Sequence, residues 1–173
     1  MAAGPTYEPI ATTTATGGVT EVITFSSIPG TYTDLLLVAN TGPMPQITAF
    51  RFRFNSDSGS NYSYLQMSGN GSAAASTVDS NQDSGLVSGS LMNTTDRSMF
   101  IMNIMNYSNT TTYKTTLNRG SRAADSLAAV SACVSMWRST SAITTVTVSP
   151  NYGGGLYIPN GSTFTLYGIA CAT

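Results

Sequence analysis

A chain of 173 residues carrying 7 Lys+Arg against 8 Asp+Glu fits one domain, or one domain with a short arm, and its near-neutral balance excludes a surface that tracks a phosphate backbone. Charged residues are only 9% of the chain, against roughly 25% in ordinary soluble domains; Ser, Thr, Asn and Gly hydrate the surface instead, without the repulsion that keeps free monomers apart. The 41% of hydrophobic residues fall in periodic runs, which excludes a disordered low-complexity chain.

Residues 1–17, with Pro5, Pro9 and the run Thr12-Thr13-Thr14, lack an amphipathic pattern. They are predicted to form an extended N-terminal arm, with a single domain over 18–173. The first residues have neither a basic start nor an apolar core and do not read as a secretory signal. No apolar run approaches the ~20 residues of a membrane-crossing helix, so synthesis in a cytoplasm is expected. Asn-X-Ser/Thr triplets such as Asn61-Tyr62-Ser63 then reflect composition alone.

Beyond the arm, short β-prone runs alternate with turn residues. Residues 19–25 form the first. Residues 33–39 hold the run Leu35-Leu36-Leu37-Val38, which suits a strand covered on both faces. Phe50-Arg51-Phe52-Arg53-Phe54 alternates with a period of two, sending three phenylalanines to the core and both arginines outward. Residues 55–61 turn the chain, and 62–67 return it as a hairpin partner. Residues 69–85 are polar and are predicted to be a long loop. Residues 86–91 form a short strand, and 98–106 are apolar on both faces, both of which need covering. Residues 111–118, 130–138, 143–149 and 163–170 bring the set to about ten strands. The Ala-rich residues 122–130 allow a turn or a single helical stretch. With no repeat at a fixed period, the pattern fits an all-β, antiparallel two-sheet sandwich of jelly-roll type.

The chain has no histidine, which excludes ordinary Ser-His-Asp and Cys-His catalysis. The carboxylates are Glu8, Glu21 and six aspartates, and Asp57, Asp79, Asp83 and Asp96 sit in turn contexts where side-chain turn formation accounts for them. Asn55-Ser56-Asp57-Ser58-Gly59 is faintly like the start of a calcium loop but lacks its terminal bidentate Glu. Gly153-Gly154-Gly155 is followed by no Lys-Ser/Thr pair and reads as a strand connection rather than a phosphate loop. Arg51, Arg53, Arg119, Arg122 and Arg138 form no basic, aromatic-interleaved cluster. No catalytic, cofactor-binding or metal-ligating residue is predicted, and no cofactor, nucleic acid or membrane partner. Cys133, in an apolar segment, is expected to be a buried reduced thiol, and a bridge to Cys171 stays open if their strands pair. Tyr62, Tyr64, Tyr107, Tyr113, Tyr152, Tyr157 and Tyr167 could anchor an interface or a sugar platform, or simply pack in strands.

Several segments, in order, carry a likeness. They are Tyr7-Glu8-Pro9-Ile10-Ala11-Thr12, Ile23-Thr24-Phe25-Ser26-Ser27-Ile28-Pro29-Gly30-Thr31-Tyr32, Arg53-Phe54-Asn55-Ser56-Asp57-Ser58-Gly59-Ser60-Asn61-Tyr62, Asn106-Tyr107-Ser108-Asn109, Trp137-Arg138-Ser139-Thr140 and Gly161-Ser162-Thr163-Phe164. Together they resemble a family of small tailed-bacteriophage virion proteins and phage tail-fibre modules, with departures over 69–96 and in the methionine-rich 98–106. The resemblance implies a particle-associated β-sandwich without enzymatic activity. Without coiled-coil heptads or a collagen-like repeat, a capsid decoration or cement protein is expected. Its partners would be the major capsid protein and copies of itself, as a possible homotrimer on the virion surface, with the arm laid over a neighbour. The alternative is a tail-fibre or tail-tip module that binds host surface glycan through its tyrosines.

Overall fold

The computed structural model describes residues 6–18, 22–46, 48–92, 95–122, 129–150 and 156–170, and the side chains of 90–92 are not considered. Twelve strands run in chain order among them: β1 (Tyr7–Thr14), β2 (Ile23–Phe25), β3 (Asp34–Thr41), β4 (Thr48–Phe54), β5 (Tyr62–Gly69), β6 (Ala74–Gln82), β7 (Gly85–Met92), β8 (Ser98–Met105), β9 (Lys114–Arg122), β10 (Ala129–Trp137), β11 (Val146–Pro150) and β12 (Thr163–Ile169). They pair antiparallel throughout, in an eight-stranded sheet of order β1-β12-β3-β8-β9-β10-β5-β6 and a four-stranded sheet of order β2-β11-β4-β7. The two sheets pack as a β-sandwich, the expected architecture.

The alternation of β4 sets the centre of the core. Phe50, Phe52 and Phe54 are fully buried, because a period of two puts all three on one face of the strand. They meet aromatic rings of the large sheet. Phe50 lies 5.2 Å from Phe100, Phe52 stands edge-on to Tyr62 at 5.9 Å, and Phe54 is 5.6 Å from Trp137. Such tilted pairs add to the gain from removing aromatic area from water. At the end of β4 the chain reverses through Asn55 and Ser56, both at positive φ (50° and 59°), a conformation Asn tolerates better than most residues. The Asn55 side chain then holds the loop before β11. Its Oδ1 accepts from the Thr144 and Thr145 amides at 2.9 and 3.1 Å, and its Nδ2 donates to the Ala142 carbonyl at 2.8 Å.

Residues 7–14, expected to be an arm reaching outward, form edge strand β1, paired with β12 from Tyr7↔Ile169 to Thr14↔Thr163. Ile10 packs against the core and Ala15 is buried. The Tyr32 hydroxyl donates to Glu8 at 3.1 Å, so this segment belongs to the sandwich. Within residues 69–85, expected to be a loop, lies the nine-residue strand β6, hydrogen-bonded along β5. The candidate turn or helix over 122–130 falls mostly outside the described residues, between the end of β9 and the start of β10. Residues 19–21, Tyr152, Gly153-Gly154-Gly155 and Cys171 also lie outside them.

Candidate interaction surface

The fold consumes most of the residues that could have carried chemistry. Tyr62 and Tyr107 are fully buried and Tyr64 nearly so. The Tyr62 hydroxyl accepts from the Phe54 amide at 3.0 Å, and that of Tyr107 donates to the Pro29 carbonyl. The Tyr64 hydroxyl donates to Asp79 at 2.6 Å and accepts from Arg51, whose guanidinium lies over the ring. Burial, then the Asp79 contact, push this phenol above its usual range. Among the described members of the predicted tyrosine set, Tyr113 and Tyr157 are exposed and Tyr167 is half-buried.

Asp57, the carboxylate of the candidate calcium turn, is committed to protein donors. It accepts from the Trp137 indole at 2.7 Å, from Asn61 at 2.9 Å and from the Gly59 amide at 2.8 Å. Partial burial raises its pKa, but these donors outweigh it and hold the carboxyl below its usual range. Among the described residues no three His, Cys, Asp or Glu side chains group closely enough to hold a metal ion. Cys133 is a buried free thiol whose Sγ donates to the Leu86 carbonyl at 3.4 Å, and burial pushes its pKa up to about 11.

The surface that remains is the outer face of the eight-stranded sheet. In β9 and β10 the usual parity is inverted. Thr116, Asn118, Ser131 and Ser135 point inward and are buried. There the Leu86 carbonyl of β7 accepts from Asn118 at 2.8 Å and Ser135 at 2.9 Å. Leu117, Val130 and Val134 point outward and are exposed. Met99 and Met105 of β8 join them, with Leu65 and Met67 of β5 and Val78 of β6. Eight of the twelve large hydrophobics left exposed among the described residues therefore stand on this one face, where scattered single exposures would have been ordinary.

Register makes the face continuous. Leu36 pairs with Asn103, Asn103 with Leu117, Leu117 with Val134, Val134 with Leu65 and Leu65 with Val78, a row across six strands from β3 to β6. Beside it runs a second row, Val38, Ile101, Arg119, Ala132 and Met67. At the end of the face near Met67, Val130 and Ala132, an open apolar groove of about 530 Å³ is also lined by Arg119. The covering that the sequence demanded on both faces of residues 98–106 is supplied on one face only. Phe100, Met102 and Ile104 are buried, while Met99 is 47% and Met105 43% exposed.

Compared with known proteins, the chain matches no family model, and no curated protein matches it.

Proposed function

We propose that the protein is a non-enzymatic structural component of a tailed-bacteriophage virion, a decoration protein that binds the outer surface of the head and stabilises its lattice. The observation that carries the reading is the uncovered apolar face of the large sheet. A contiguous patch of this kind marks an association surface, and binding to the native fold stabilises the assembly by mass action. The charge-poor composition supports the same reading, since crowded copies repel each other little. The likeness to phage virion proteins supplies the particle. The docking of residues 7–14 into their own sheet favours association through the folded sandwich over association through a free arm.

The test is co-sedimentation of the purified protein with phage heads lacking their decoration protein and, separately, with host cells. Pelleting with heads alone is expected. Pelleting with cells alone would overturn the head assignment in favour of a tail module that reads surface glycan. That outcome would make exposed Tyr113 and Tyr157 the residues to replace.

A further inference from the structure

We infer that the outer face of the eight-stranded sheet is a homotypic interface, covered by the same face of a second copy about a twofold axis. The inference rests on the reading of this face as an assembly surface and names its occupant.

The dimensions come first. Six strands spaced ~4.8 Å apart and about seven residues long at ~3.3 Å each give a face of roughly 600 Å² in plan. Side-chain relief brings that close to the ~800 Å² that each partner contributes to a standard stable interface. A single peptide strand would cover a small part of it. An object as wide as the face is required, and a twisted antiparallel sheet is such an object. Two sheets of like twist pack face to face at about 30° and ~10 Å apart, and packing sheet on sheet is how this molecule already covers its inner side.

The chemistry points to a like surface. The central rows from Leu36 to Val78 and from Val38 to Met67 contain one charged side chain, Arg119. Arg119 lines the groove, and an arginine can lay its aliphatic stem on apolar surface while its head group stays in water. There is no pattern of acids and bases to read a different protein; apart from Asn103 and Arg119 the rows hold apolar side chains, which can interdigitate with others of their kind. Three of them, Met67, Met99 and Met105, are unbranched and adapt to a facing copy. On the β12 and β1 side the face turns polar, where the Thr12 and Thr165 hydroxyls bond at 3.0 Å, so the apolar area has a border. A dedicated hetero-partner would leave this area in water on every newly made chain until that partner was met. Pairing covers it on both copies at once. An isologous contact of this type closes at two, where the decoration-protein reading allowed a possible homotrimer.

Sedimentation velocity over a concentration series tests the pairing. The wild-type chain of 18.1 kDa should sediment with twice that mass. Val134→Glu and Leu117→Glu, both outward-facing, should each weaken association by about 100-fold or more, with an unchanged far-UV spectrum and a cooperative melt. Thr12→Glu, beyond the polar border, should leave the dimer intact. A monomeric or trimeric wild type, or a dimer that neither glutamate perturbs, overturns the inference. Head co-sedimentation in parallel separates the two readings. A dimer that ignores heads defeats the decoration role and keeps the pairing. A solution monomer whose head binding is abolished by Val134→Glu gives the face to the capsid and defeats the pairing.

Discussion

The indole nitrogen of Trp137 donates to Oδ2 of Asp57 at 2.7 Å, tying the last residue of β10 to the turn that joins β4 and β5. The ring also packs against Phe54 and stacks near Tyr62, so one side chain closes the core and its lid.

Acid should loosen this closure. The folded-state pKa values of Asp57 and Asp83 are both lowered, Asp83 by its contacts to Ser84 and Arg53 against the opposing effect of burial. Stability from these carboxylates is present above the unfolded value of ~3.9 and is lost as pH falls through the lower folded values. Trp137 fluorescence melts between pH 2 and 6 should show a declining midpoint at the acid end. Asp57→Asn should be less stable at pH 7 by about 1–2 kcal/mol, with a shallower acid decline.

Deleting residues 1–14 should destabilise the fold. The cut removes β1, the Ile10 contact and the Tyr32–Glu8 bond, and bares the edge of β12. A loss of roughly 5–10 °C in melting temperature is expected, since 1 kcal/mol is worth about 2–4 °C in a chain of this size. An unchanged melt would show that β1 contributes little to the sheet.

Gly85 opens β7 beneath the Phe52 ring. A Cβ there would lie 2.2 Å from the ring carbon, and Phe52 is fully buried between the sheets. Gly85→Ala should lower stability by about 1–3 kcal/mol through overpacking, read as a lower denaturation midpoint at unchanged slope.

Cys133 should resist thiol reagents in the native protein. Its burial and a pKa pushed up to about 11 leave almost no thiolate at neutral pH. Peptide mapping after alkylation should find Cys133 unmodified under native conditions and modified in denaturant. Native labelling would show that β7 opens away from β10.

The sequence made some elements legible and hid others for identifiable reasons. The Phe50, Phe52, Phe54 alternation needed no tertiary knowledge, because large apolar side chains at every second residue have one way to be buried together. The strand β6 was hidden because residues 74–82 bear almost no apolar side chains and are nearly all exposed; backbone pairing along β5 holds them, and composition does not record that. β1 was read as an extended arm because Pro9 and the run Thr12-Thr13-Thr14 leave Ile10 without an alternating pattern around it, and pairing along β12 is what holds the segment. The interaction surface was half visible. Residues 98–106 announced two apolar faces, but in β9 and β10 the apolar residues alternate with Ser, Thr and Asn that are themselves buried, so the pattern of these strands did not show that Val134 and Leu117 face outward. Only the packing of β7 against that inner side, through the Leu86 carbonyl, reverses the parity.

The two edges of the large sheet are unlike. On β1, Pro9 offers no amide hydrogen and the register slips between Pro9 and Ala11, so an incoming strand finds a missing donor and broken spacing. On β6, residues Ala74–Asp79 keep an unbroken register with β5 and contain no proline. A sheet extensible from one side only cannot propagate. Two molecules meeting at β6 would each turn a blocked edge outward, and growth would end there. A proline on an edge strand blunts edge-to-edge pairing, and in a protein with so few charges Pro9 offers the large sheet that protection without one.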